Sequence, residues 1–206
     1  MSNLPISREQ ALELLKKWPQ AQSDMNHYLE SEAIMKELAL SLGEDEEYWA
    51  MLGLLHDVDW AITKEAASSK RDQSKENTKE HLSKAPEILE KAGFDNKFIE
   101  IIISHGYGYE QLHELKDKKR TNKIEFSLAA SETLTGLIHA YALMRGKRIS
   151  DMEAKGLMKK FKDKAFAAGC DREIIKEIEK LGISLEDFFK VGIEGIKKIK
   201  DQIGLH

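Results

Sequence analysis

Apolar residues recur at three-to-four spacing along most of this chain, and each such run is bracketed by helix start and stop signals. Ser7 with Gln10 reads as a capping box, opening a helix that ends at Trp18-Pro19. Asp24 is placed to cap a second helix running to Leu42, with Gly43 as its terminator. A third begins near Asp45 and carries Tyr48, Met51, Leu52 and Leu55 on one apolar face up to His56-Asp57. From Thr63 to Lys79 the chain is dense in Lys, Ser and Asn without apolar periodicity, which predicts a mobile surface segment.

Beyond it, Pro86 is tolerated only near a helix start, so the next regular helix is expected from about Ser83, with a stop at Gly93 and with His81 just ahead of it. Asn96 to His105 forms a short apolar helix closed by Gly106, and Thr121 to Met144 a long one closed by Gly146. Ser150 with Glu153 predicts another capping box and a helix reaching Ala168-Gly169. Asp171–Leu181 and Ser184–Ile203 complete an all-α picture. Neither a hairpin pattern nor a repeat appears, and no linker rich in Gly, Pro and Ser divides the chain. The expectation is a single-domain helical bundle over residues 1–206, with a core at about 20–145 and a C-terminal helical extension at about 146–206.

Composition narrows the class. With 206 residues, 41% hydrophobic and 33% charged, the chain can bury a sizeable core. Lys+Arg 32 against Asp+Glu 36 gives a formal net charge of -4, so the overall field gives no reason to expect a nucleic-acid polymer as partner. Cys170 is the one cysteine, which removes any intramolecular disulfide and fits a reducing compartment. Met1 to Gln10 lacks a signal-peptide pattern, and no apolar run approaches a membrane span. A cytoplasmic protein with no membrane partner is expected.

The chemistry lies in evenly stepped donors. His27, His56-Asp57, His81, His105 and Glu132 are separated by gaps of 29, 25, 24 and 27 residues. A step near 25 is about one helix plus its connection. One donor per element converging on the interior is how a helical bundle builds a metal site. Imidazoles mixed with carboxylates suit Zn, Fe, Mn, Co or Ni, with Mg as a further candidate, better than a calcium cage. His27, His56, Asp57 and Glu132 are one candidate set for a single ion. Asp57, having two oxygens, is placed to bridge to a second ion held by His81 and His105.

The ordered set His27, Leu54-Leu55-His56-Asp57-Val58-Asp59, Ile102-Ile103-Ser104-His105-Gly106 and Ala130-Ser131-Glu132-Thr133-Leu134-Thr135-Gly136-Leu137 resembles the HD superfamily of metal-dependent phosphohydrolases. The segment Lys160 to Gly169 is similar to the C-terminal part of small stand-alone prokaryotic members. The resemblance implies metal ligation by His27, His56, Asp57 and a late Asp, a position that Glu132 occupies here with one extra methylene. His81 and His105 correspond to the added histidines of two-metal members. The implied activity is hydrolysis of a small phosphorylated substrate, a nucleotide or related phosphomonoester. The alternatives are a diiron oxygenase on the same fold and a non-catalytic nucleotide-binding module.

Asp57 is then expected to position the attacking water, and Asp59 to accept its proton or orient a ligand; a plain helix cap is the bland alternative for Asp59. Lys64, Lys70, Arg71 and Lys75 are candidates to close over a phosphate, although a charge-rich loop is ordinarily just solvated. A tyrosine of Gly106-Tyr107-Gly108-Tyr109 either stacks on a base or sugar or packs a turn. His113, His139 and His206 show no partner pattern. The stripe Ile193, Ile196, Ile199, Ile203 packs on the domain or forms a homodimer contact.

Overall fold

A computed structural model describes residues 4–63 and 80–206. Lys64, Lys70, Arg71 and Lys75, and with them nearly all of the polar segment ending at Lys79, lie outside the described residues. The α-helices are α1 (Arg8–Leu15), α2 (Gln22–Leu42), α3 (Glu46–Leu55), α4 (Ala85–Lys91), α5 (Asn96–Ser104), α6 (Lys123–Met144), α7 (Ala154–Lys162), α8 (Arg172–Lys176) and α9 (Leu185–Ile199). Tighter 3-10 turns follow at Glu177–Leu181 and Lys200–Gln202, residues 60–63 are helical, and no strand occurs among the described residues. No described helix is long and apolar enough to cross a membrane.

Most of the predicted boundaries appear with their chemistry intact. Ser7 and Gln10 form the reciprocal capping box of α1. Asp45, Asp95 and Ser184 cap α3, α5 and α9 through side-chain bonds to backbone N–H groups. Gly43 closes α2 in the left-handed region at φ 67. Three of the departures are instructive. The second helix starts at Gln22, so Asp24 lies in its first turn and complements the helix dipole there. Pro86 sits in the first turn of α4, as predicted, but α4 begins at Ala85. The Ser150–Glu153 box does not form: α7 starts at Ala154 and ends at Lys162. Residues 163–170 turn instead around the Arg172 guanidinium, which donates to the carbonyls of Phe161, Asp163, Phe166, Ala167 and Cys170. A half-buried cation bonding five carbonyls replaces the last two helical turns.

The centre of the molecule is α2, packed on α3, α6 and α9. Trp49 to Leu55 of α3 are buried without exception, so this helix is apolar all round and runs through the core rather than along its surface. Two glycines make the packing close. A Cβ on Gly53 would stand 2.5 Å from the Ser31 carbonyl oxygen, and one on Gly195 would stand 2.7 Å from that of Ala33. Hydrogen at both places lets α3 and α9 touch the α2 backbone. The C-terminal helices are therefore built into the core, with Phe188 and Phe189 fully buried. Each such side chain contributes roughly 1.5–3 kcal/mol of hydrophobic stabilisation.

Candidate metal centre

Five imidazole and carboxylate side chains meet where α2, the end of α3, the start of α4 and the end of α5 converge. His56 and His105 are the C-cap residues of α3 and α5. The last carbonyls of a helix lack intrahelical donors, and each histidine turns back onto one of them. His56 Nδ1 donates to the Gly53 carbonyl at 2.8 Å, and His105 Nδ1 to the Ile102 carbonyl at 2.6 Å. Both rings are thereby fixed in one tautomer with the Nε2 lone pair facing the interior.

His27 is fixed from another direction. The Thr135 hydroxyl donates to the Glu132 carbonyl at 2.6 Å, so it must accept from His27 Nδ1, 2.8 Å away. That again leaves Nε2 bare, 2.9 Å from His56 Nε2. Two unprotonated ring nitrogens cannot hydrogen-bond each other; such a pair is stable when a cation or a proton lies between them.

Asp57 stands at the junction. Its Oδ2 lies 3.7 Å from His27 Nε2, and its Oδ1 lies 3.5, 3.2 and 3.3 Å from Nε2 of His56, His81 and His105. Two donor groups result, His27–His56–Asp57 and Asp57–His81–His105, each with ligand atoms within 4.8 Å of one another. The soft-to-borderline nitrogens, the shared carboxylate and the pre-set lone pairs fit divalent transition ions.

Electrostatics follow from burial. Burial drives the His56 pKa down to about 3, against the pull of Asp57, so this ring is neutral and ready to ligate. Burial also works against ionised Asp57, yet the imidazoles of His56 and His81 and the bonds from His105 and His81 hold its carboxyl well below the usual range. For His81 burial is outweighed by the Asp57 carboxylate, with Asp59 assisting, and its pKa rises to about 10. Without an ion, His81 is thus the group that neutralises Asp57.

Asp59 is placed behind the cavity rather than in it. It is fully buried, and its carboxylate accepts from the backbone N–H of Leu82, Lys84 and Ala85 at 3.2, 3.0 and 3.2 Å. It thereby caps α4 from a distance and holds Leu82 at φ 67, a left-handed conformation costly for leucine. The same Asp59 oxygen lies 3.2 Å from His81 Nδ1, out of line for a hydrogen bond.

Glu132 reaches the cavity but belongs to neither donor group. Its carboxyl is drawn toward Thr133, whose hydroxyl donates to it at 2.5 Å, and burial raises its pKa, partly offset by His105 and His27. The cavity, about 290 Å³, is lined by Asp57, His81, His105, Tyr109, Gln111, Leu112 and Glu132. Of the Gly106–Tyr109 turn, Tyr109 is the residue facing it; burial, with Glu132 nearby, pushes its hydroxyl pKa upward. Sequence reasoning assigned no role to Thr135, Gly53 or Arg120. Thr135 carries a readable signal, since it stands three residues after Glu132 on one helical face.

Among known proteins, the family model described as HD domain matches residues 25–131, a span holding His27, His56, Asp57, His81 and His105 and stopping one position short of Glu132. No curated relative and no solved structure matches the chain.

Proposed function

This chain belongs to the HD domain family, and from that membership together with its shared-carboxylate cluster we propose a metal-dependent hydrolase of small phosphate esters. The observation that carries the reading is Asp57, whose two oxygens lie in reach of two separate histidine pairs. A centre of that kind suits phosphoryl chemistry, whose uncatalysed barrier is among the highest known. His27, His56 and Asp57 would hold one ion, and Asp57, His81 and His105 a second. Bound there, divalent ions supply Lewis acidity and lower the pKa of water toward ~7.

The remaining work belongs to the protein. Thr135 and the carbonyls of Gly53 and Ile102 fix the donor rings before any ion arrives, so little reorganisation is required. Asp57 orients the attacking water. Asp59 keeps the His81 loop in its strained turn. Glu132, its carboxyl made reluctant to ionise by burial, lines the cavity where a general acid for a leaving alkoxide would stand. Tyr109 and Leu112 wall the cavity from water. At about 290 Å³ the space is at the small end for ligand pockets, which favours a compact phosphomonoester or the phosphorylated end of a nucleotide.

The test is metal content and turnover of protein purified anaerobically, then supplied with Mn, Co, Ni, Fe, Zn or Mg and a panel of phosphomonoesters. Phosphate release that disappears in His56→Ala/Asp57→Ala supports the reading. Two irons with oxygen-dependent turnover and no phosphate release would replace it with the oxygenase alternative; nucleotide binding without turnover under every metal would replace it with a non-catalytic module.

A further inference from the structure

The C-terminal end of α5 presents His105, and one side chain gathers three carbonyls at and just beyond that end. Nη1 of Arg120 lies 3.0 Å from the Ser104 carbonyl, 3.1 Å from that of His105 and 2.9 Å from that of Tyr107. A cation there also complements the negative end of the helix dipole. The guanidinium is only 6% exposed, so its charge needs a counterion inside the protein. Glu177 provides it, accepting from Arg120 Nε at 2.5 Å. Glu177 opens the 3-10 turn after α8, well beyond the stretch that matches the family.

We infer that Arg120 and Glu177 are positioning residues for the Asp57–His81–His105 group, so that the C-terminal helices complete the second ion's site without supplying a ligand. The coupling path is short. Arg120 binds the carbonyl of His105 itself and those of Ser104 before it and Tyr107 two residues on, and His105 Nδ1 in turn leans on Ile102 in the same last turn. Should that turn fray, His105 Nε2 moves relative to Asp57 and His81. His27 and His56 are fixed instead by hydrogen bonds to Thr135 and the Gly53 carbonyl, so their ring placement leans less on Arg120. The proposal rests on the two-ion reading above.

The test counts and weighs ions rather than turnover: Mn titrations followed by calorimetry on the full chain, for wild type, Glu177→Gln and Arg120→Lys, with thermal unfolding as a check on folding. The expected result is two ions in wild type. In both variants the tighter ion should be retained within about twofold and the second weakened about 10–100-fold, the usual effect of removing an outer-shell partner. Both ions binding as in wild type would overturn the proposal, and so would equal weakening of both, which marks a merely structural role. Wild type binding no ion would bring down the metal reading itself, an outcome visible before any variant is made. Should Glu177→Gln fail to fold, Glu177→Asp keeps the charge, draws it back by one methylene and gives the same readout with a smaller loss.

Discussion

An ion loading the Asp57–His81–His105 group would have to expel a proton from His81, and the size of that effect can be worked from the site. With Asp57 beside it and no metal bound, His81 titrates at about 10. Its Nε2, 3.2 Å from Asp57 Oδ1 and 3.3 Å from His105 Nε2, is the atom a metal would need. At pH 7 only about one molecule in a thousand has that nitrogen free, a handicap of about 4 kcal/mol on binding. The sign is fixed by the raised pKa: protons compete with the ion at every pH below about 10, so affinity climbs as pH rises and levels off above that value. His56 behaves oppositely, because burial has already pushed its pKa to about 3 and it has no proton to lose near neutrality. Titration calorimetry in buffers of different ionisation heat should therefore show close to one proton released from His81 as the two ions load. The combined affinity for the two ions should rise nearly tenfold per pH unit from about 7 to about 9. No proton release on loading, or a combined affinity flat across that range, would refute the argument that Asp57 and His81 form an ion pair awaiting displacement.

Three further outcomes are expected. Gly53→Ala drives a methyl to 2.5 Å from the Ser31 carbonyl oxygen, a backbone atom that cannot swing aside; overpacking of this kind costs about 1–3 kcal/mol, read as a fall in Tm of about 2–12 °C, with a weaker His27–His56 ion alongside. Thr135→Val removes the acceptor that sets the His27 tautomer, and the first ion should bind about 10–100-fold more weakly with little change in Tm, measured by metal titration. His139 bonds to buried Glu30 at 2.6 Å, and that bond raises its pKa; the stabilisation is complete below the ordinary histidine value and is lost as pH rises through the raised one, so urea unfolding should show stability falling over that window in wild type and a flatter profile in His139→Gln.

The helical elements were readable because their boundaries are local events. A capping box, an Asp three residues ahead of a backbone N–H, or a left-handed glycine is decided within one turn, and Ser7, Asp45 and Gly43 perform those tasks as their positions imply. The expected ends of α7 failed for non-local reasons. Ser150 and Glu153 have the right spacing, but the chain there is tied elsewhere: the backbone N–H groups of Ile149 and Ser150 donate to the His206 carbonyl. Farther on, Arg172 gathers the carbonyls that a continued helix would have used internally. Nothing in a single arginine's neighbours tells whether it will turn inward.

The donor set shows the same division more sharply. His56 and His105 stand at helix ends in the sequence, and a histidine there has an orphan carbonyl within reach to fix its ring, so the local pattern already carries half of the site's preorganisation. A step of about one helix per donor brings Glu132 to the right cavity but cannot resolve the final ångströms, and there Thr133 draws the carboxyl its own way. The Glu30–His139 pair was missed although its signal exists in duplicate: Glu30 follows His27 by three residues and His139 follows Thr135 by four, so a contact between His27 and Thr135 implies a second one a turn farther along the same two helices. Arg120 leaves no such trace. It ends the run Lys116-Asp117-Lys118-Lys119-Arg120, which reads as solvated charge, and what sets it apart is Glu177, 57 residues away. Sequence spacing therefore reveals candidate donors, which must recur helix by helix, better than it reveals the groups that hold them still, which need only be near once the chain has folded.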